Sequence, residues 1–365
     1  MNIIEQVKNE ENVFLKFIYN MYNSNKPLIL FGTGSYGKKA YQYLSEKGIN
    51  VKYFSDNDNK KLGNKCCGIN ILSIHNIKKQ FSDFNVLITS SFYKQIREKL
   101  IDEDKINKNN IFYFSSAVYQ ELDNMYYDYS FVLDNLKKLN EVYNLLEDEE
   151  SRYIFTNIIN HRISARIDYV EEIKNSDMYF DKKIINLSGN EVFLDVGAYN
   201  GDTLLDFINV SKKQYKKIIL MEPDKNNHGN IVELIKNNGF KNVSLYKLGA
   251  YDKDGFLKFS ETNTDRSMIT NEGSDLIQVT AIDNLKLNEK ITFIKMDIEG
   301  VEREALIGAT DTITKCRPKL AISAYHKKQD LFEIPLLIKK ILPEYKIYFR
   351  HYTDSIYDTV CYAAI

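Results

Sequence analysis

With 365 residues, the chain is too long for one small core and comfortable for two domains of ordinary size. Lys and Arg total 49 against 50 for Asp and Glu, so the net charge is near zero and no basic excess points to nucleic acid as the main partner. An apolar content of 44% excludes the disordered class. The four cysteines (Cys66, Cys67, Cys316 and Cys361) show no CxxC spacing, so neither a disulfide framework nor a zinc site is expected and a reducing compartment is the simple reading. The N-terminus carries charges where a signal peptide needs an apolar core. No run approaches the roughly 20 apolar residues of a membrane span. A cytoplasmic protein without a membrane span is expected.

Residues 2 to 23 place apolar side chains at helical spacing. A strand follows at Lys26-Pro27-Leu28-Ile29-Leu30-Phe31, and then Gly32-Thr33-Gly34-Ser35-Tyr36-Gly37 opens a helix that Gly48 closes. A second strand, Val51 to Ser55, ends at Asp56. This is GxGxxG after a strand and before a helix, with an acidic residue at the end of the next strand, the context a nucleotide-binding loop requires. Gly32, Gly34, Gly37 and Asp56 are therefore candidate ligand residues. A short strand at Ile69 to Leu72, a helix near Ile74 to Lys79, a strand at Asn85 to Thr89, a helix from Ser91 to Asp102 and a strand from Ile111 to Phe114 complete a small doubly wound sheet.

From 117 to 180 the strand signal disappears. Leu122, Met125, Tyr126, Tyr129, Val132, Leu133, Leu136 and Leu139 recur at helical spacing, and a second helix is expected over Ser151 to Lys174. From 191 the alternation resumes. Strands are expected at 192–196, 217–222, 242–248, 292–297, 318–325, 346–351 and 359–364, and helices at 202–209, 225–238, 301–309 and 330–341. The last two strands lie too close for a crossover and allow only an antiparallel pair. The division is residues 1–116 as a Rossmann-like domain, 117–185 as a helical connector and 186–365 as a second doubly wound domain.

Polar residues collect at five strand ends of the second domain, where α/β ligand sites form. The first is Asp195 to Thr203, where Gly197 and Gly201 bracket a tight turn and Thr203 opens a helix whose free N–H groups favour polar partners. The second ends in Glu222, a carboxylate suited to accept two hydrogen bonds from a ribose diol. The others carry Gly249-Ala250, Asp297 with Glu299 and Glu302, and Tyr325-His326. Five such ends at one edge indicate a ligand site rather than a core.

LDVGAYNGDT, MEPD, LGAYDKDG, VTAIDNL, KMDIEGVEREAL and RPKLAISAYH, in that order, resemble the successive motifs of the FkbM family of S-adenosylmethionine-dependent O-methyltransferases over about residues 186–365. The seven strands with a terminal reversal match the class I methyltransferase layout, so two Rossmann-like α/β domains joined by a helical segment are expected. The resemblance implies that Asp195, Gly197, Tyr199 and Gly201 hold the methionine part of the cofactor and that Glu222 holds its ribose. It also implies that Ala250 and its neighbours face the adenine and that Asp297 sits near the reacting centre. Tyr199 stands where methyltransferases at large have the middle glycine of DxGxGxG. The stretch from about 26 to 90 resembles the sugar-nucleotide-binding domain of PglD-type acyltransferases, which implies a nucleotide or nucleotide sugar there and a sugar or carrier-linked sugar as methyl acceptor.

Methyl transfer then needs a placed acceptor oxygen and a base for its proton. His326, Asp297 and Glu299 are the candidates, and His326 has a suitable unperturbed pKa. Asp297, Glu299 and Glu302 are also a possible cluster for a divalent cation, although acidic residues at a helix N-terminus equally serve as caps. Arg266, Tyr325, His351 and Tyr352 are candidates to line an acceptor pocket, with 260–275 as its lid. Two other readings compete: an NAD(P)- or nucleotide-sugar-dependent oxidoreductase built on the first glycine loop, and a binding module that only senses ligands.

Overall fold

The computed structural model describes residues 2–261, 267–269 and 275–365. Arg266 and the greater part of the 260–275 lid lie outside the described residues. Two compact units emerge: Asn9–Tyr126 with Asn160–Val170, and Met1–Lys8 with Tyr127–Ile159 and Glu171–Ile365. The helical stretch 117–185 is thus divided between them. No helix among the described residues is long and apolar enough to cross a membrane.

In the first unit, strands β1 (Leu28–Phe31), β2 (Val51–Ser55), β3 (Asn85–Ile88) and β4 (Ile111–Tyr113) form an all-parallel sheet in the order β2-β1-β3-β4. β1 and β3 are buried along their whole length, which is why they read as continuous apolar runs rather than alternating ones. The strand expected at Ile69 to Leu72 shrinks to Ile69–Asn70, paired antiparallel with Lys65–Cys66. It stops because the Ser73 side chain caps the next helix, Ile74–Gln80, by accepting from the Asn76 amide.

The second unit contains strands β5 (Val192–Val196), β6 (Lys217–Met221), β7 (Val243–Tyr246), β8 (Phe293–Met296), β9 (Lys319–Ser323), β10 (Lys346–His351) and β11 (Thr359–Ala364). Their order in the sheet is β10-β11-β9-β8-β5-β6-β7. β11 inserts antiparallel between β9 and β10, and every other pairing in this sheet that does not involve β11 is parallel. Strand order reverses around β5, whose carboxyl end faces the crevice where open α/β sheets place ligands. A smaller sheet packs Asp275–Thr280 against Gly255–Glu261 and Gly249–Ala250.

Two expectations about helices fail for local reasons. The helix expected over 151–174 runs from Glu149 to Ser164 and stops, because Ala165 takes a left-handed conformation with φ +57°. The periodic stretch from Leu122 to Leu139 breaks at Tyr126, which is extended, and Asp128 caps a new helix by accepting from the Phe131 amide. Likewise, the N-terminal helix is limited to Val13–Tyr22 after a short 3-10 turn, with Asn12 as its cap.

Residues 179–185 enter the core of the second unit. Phe180 packs within about 6 Å of the rings of Phe193, Phe207 and Phe293. Arg350 on β10 secures this segment. It is fully buried, and its guanidinium meets Asp181 at 2.9 Å, Asp148 at 2.8 Å and Glu150 at 3.3 Å. Removing one partner of a buried ion cluster leaves the others desolvated without compensation. Arg350→Leu is expected to lower the unfolding free energy by about 3–5 kcal/mol, measured by urea denaturation at pH 7. A loss under about 1 kcal/mol would show that the cluster is not what holds the segment.

Candidate active site

At the carboxyl ends of β5, β6 and β8 lies a cavity of about 320 Å³, within the range of small-molecule sites. Gly197, Tyr199, Thr203, Glu222, Gly249, Ala250, Asp297 and Glu299 all line it, so the structure brings together most of the residues expected from sequence. Asp195, Gly201 and His326 do not; each lies behind the wall and acts through another residue.

Asp195 is completely buried and faces the Lys295 ammonium at 3.0 Å. The two residues are direct partners in the β5–β8 ladder. Burial pushes the Asp195 carboxyl up to about 6, against the pull of Lys295. Lys295 is itself buried and donates to the Gly197 carbonyl at 2.7 Å. Gly197 has φ +81°, and a β-carbon there would lie 2.0 Å from the Asp297 carbonyl oxygen, so only glycine allows the loop to pass this close to β8. Gly201 serves packing instead: a β-carbon would meet the Leu234 side chain at 2.6 Å. Tyr199, at the position of the missing middle glycine, still adopts φ +47°. The turn therefore keeps its left-handed geometry without the residue that adopts it most easily.

Glu222 is almost fully buried. Its two oxygens accept from the backbone amides of Tyr199 at 2.8 Å and Asp224 at 2.9 Å. Burial raises its pKa to about 7, and these amides work against that rise. Each oxygen keeps a further lone pair, which suits the carboxylate to a diol.

Asp297 accepts from Tyr179 Oη at 2.7 Å and lies 3.4 Å from Tyr325 Oη. Although burial works to raise its pKa, the charges of His326 and Lys295 hold it below the ordinary carboxylate range. His326 is 6% exposed, with Nδ1 2.9 Å from Glu302 Oε1 and Nε2 3.4 and 3.5 Å from Asp297 and Glu299. Burial opposes its charge, but Glu302, Asp297 and Glu299 outweigh this and raise it to about 10. His326 is therefore an imidazolium at neutral pH, and its unperturbed pKa does not describe it. Glu302 Oε1 accepts from the amides of Ile298 and Gly300, in the loop before its own helix, so it ties that loop down and does not cap the helix as expected.

Sequence reasoning gave no role to Tyr179, Met178, Lys295 or Asp358, all of which line the cavity. Lys295 did carry a signal, as a lone charge inside the buried strand Phe293–Met296. Tyr179 had none, because it comes from the stretch read as a connector. His351, at the end of β10, and Tyr352, just after it, do not line the cavity: His351 Nδ1 meets Thr359 Oγ1 at 2.9 Å, and Tyr352 Oη meets Tyr362 Oη at 2.5 Å.

The first glycine loop is held by contacts of its own. Asp56 Oδ2 is taken by the Thr33 amide, the Thr33 hydroxyl and Lys61 Nζ at 3.0 Å, and Oδ1 by the Asp58 amide. Gly32 and Gly37 are required by the packing of the loop itself, since β-carbons there would lie 2.6 Å from the Thr89 carbonyl and 2.1 Å from the Gly32 carbonyl. Around Gly34 there is open space.

Lys295→Met is expected to cost about 3–5 kcal/mol of unfolding free energy, because it leaves the Asp195 carboxylate buried and unpaired. The same denaturation experiment on Lys295→Met/Asp195→Leu should recover most of the loss. Failure of that recovery would show that the two side chains do not act as a pair.

Residues 195–348 match the family model described as the methyltransferase FkbM domain, and residues 24–112 match the one described as C2185-like, N-terminal. No curated protein sequence matches the chain. Among solved structures, methyltransferase FkbM from Methylobacillus flagellatus KT aligns with a TM-score of 0.78 at 24% identity, over 97% of this chain and 94% of that one, which shows a shared fold. A putative methyltransferase from Streptococcus mutans in complex with SAH aligns over 55% of this chain and 92% of its own at 12% identity and a TM-score of 0.31. The fibrillarin of Aeropyrum pernix aligns over 50% of this chain and 71% of its own at 11% identity and 0.32. Those two scores are too low to carry an argument. The match over residues 195–348 is what places this chain: it carries a methyltransferase FkbM domain there and is an S-adenosylmethionine-dependent methyltransferase.

Proposed function

We propose that the chain methylates a hydroxyl of a sugar or glycan intermediate. In this reading the cofactor lies along Gly197, Tyr199, Thr203, Glu222, Gly249 and Ala250, with Asp195 and Gly201 shaping the loop from behind. The acceptor is presented to Asp297 and Glu299. The observation that supports this most directly is that one cavity joins the Glu222 carboxylate, suited to a diol, to a second pair of carboxylates at the end of β8. A polyol acceptor fits that second end, where Tyr179, Asp297, Glu299 and Asp358 offer hydrogen-bonding groups in one wall.

S-adenosylmethionine, when bound, supplies an electrophilic methyl group on a sulfonium. The residues of the chain have two tasks: to orient the acceptor oxygen in line and to receive its proton. Asp297, held ionised and fixed by Tyr179, is a strong acceptor for the hydroxyl and sets its direction. Glu299, which is about one-third exposed, is placed to take the proton as the oxygen–carbon bond forms and to release it to water. His326 stays charged behind both and keeps their negative charges affordable in a buried wall. The oxidoreductase reading draws no support from the first loop, because the Asp56 carboxylate that would bind a ribose is already committed to Thr33, Asp58 and Lys61.

Glu222 gives a pH test. Its carboxylate accepts diol hydrogens only when ionised, and its raised pKa of about 7 puts the change within reach. Affinity for S-adenosylmethionine, followed by calorimetry, is expected to fall as the pH drops from 8 to 6. Glu222→Gln should bind more weakly by about 1.5–3 kcal/mol at pH 8 and lose that pH dependence. An unchanged affinity in the variant would remove Glu222 from the site. For the acceptor, mass spectrometry of cellular glycans with and without the protein is expected to show the loss of one methyl group. Glycans identical in the two samples would count against a glycan acceptor.

A further inference from the structure

His326 and Glu302 are buried and short of hydrogen bonds. Among the described residues neither ring nitrogen of His326 makes a hydrogen bond, although a carboxylate oxygen lies 2.9 Å from one and 3.4 Å from the other. Neither contact meets the geometry of a hydrogen bond, so the carboxylates attract the ring by charge alone. Glu302, 1% exposed, has its Oε2 likewise without a partner. Buried polar atoms are almost always satisfied, so three unsatisfied ones in one place call for an unseen partner. The atoms point to its nature. One donor atom from each of Asp297, Glu302 and His326 lies within 4.8 Å of the other two. Ligands at about 2.0–2.2 Å around a common ion are about 3–4 Å apart, so a contraction of at most about 1–2 Å closes the set.

We propose that Asp297, Glu302 and His326 bind one divalent first-row metal ion in the wall of the methyl-transfer cavity. One imidazole, which gives up its proton as the ion takes its place, and two carboxylates suit Mn²⁺, Fe²⁺ or Zn²⁺ better than Mg²⁺ or Ca²⁺, which prefer oxygen alone. The surroundings of the ligands are those of a built site. The Ile298 and Gly300 amides fix Glu302 through its other oxygen, and Tyr179 fixes Asp297. Glu299 (φ +57°) and Gly300 (φ +96°) form a left-handed turn that carries the Glu299 carboxylate to within 3.5 Å of His326. Three protein ligands leave positions open, and Asp297 lines the cavity, so an acceptor hydroxyl can reach the ion. This last role rests on the methyltransferase reading of the cavity. The hydroxyl oxygen, coordinated and more acidic, gives its proton to Glu299. It then bonds to the methyl carbon as the carbon–sulfur pair returns to sulfur.

The test uses the full-length protein, freed of metal by chelation and titrated with MnCl₂. Calorimetry is expected to give one Mn²⁺ per chain, and electron spin-echo modulation of the bound ion is expected to show a coordinated imidazole nitrogen. His326→Gln and Glu302→Gln are expected to weaken binding at least tenfold. Because these variants touch a buried cluster, the nitrogen modulation in the unaltered protein is decisive on its own. No stoichiometric Mn²⁺ binding, or bound Mn²⁺ without nitrogen modulation, overturns the site. Binding of S-adenosylmethionine is measured on the same samples. Retained cofactor binding without metal binding rejects this inference alone, whereas lost cofactor binding with Mn²⁺ still bound rejects the reading of the cavity.

Discussion

The pairing of Asp195 with Lys295 is the constraint on which the rest of the site depends. The two residues face each other across the central strands of the sheet, both buried. Such a pair is a poor source of stability, because desolvating two charges costs about as much as their attraction returns. Its value lies in geometry. The ammonium that faces Asp195 also holds the Gly197 carbonyl, which brings the glycine loop against β8. With the loop there, the Tyr199 amide reaches Glu222 on β6. Three strand ends are thus locked together by one buried cation.

A second buried charge system sits beside the first with the opposite balance. Around Asp195 one cation answers one carboxylate, whereas around His326 three carboxylates converge on one imidazole. An excess of negative charge in a buried wall is tolerable only with a strong positive partner, either a proton on His326 or a metal ion in its place. Tyr179 links this system to the periphery. Its hydroxyl orients Asp297, and its segment is fixed by Arg350 through Asp181. A substitution far out on β10 therefore bears on the geometry of the reacting end.

The two glycine loops show how far a motif can be trusted. Both follow a buried strand, both open a helix, and both are followed by an acidic residue at the end of the next strand. Asp56 folds back to satisfy its own loop, and Gly32 and Gly37 are filled by neighbouring backbone. Glu222 also accepts backbone amides but faces a cavity with lone pairs to spare. The difference lies in what surrounds the loop and not in the loop itself.

Strand and helix positions in the second unit were legible from the amino-acid sequence because buried parallel strands must be apolar throughout and the intervening helices carry periodic apolar faces. The final antiparallel pair was legible because seven residues cannot make a crossover. Residues at strand ends, such as Glu222 and Asp297, were legible because that is where an open sheet presents side chains. The breaks at Tyr126 and Ala165 were not, since an extended or left-handed residue leaves no mark in an apolar pattern. Only the tertiary structure could bring Tyr179 to Asp297, a contact between residues far apart in the chain. It alone could show His326 as an imidazolium, because the charge of a buried side chain is set by the neighbours that folding assembles around it.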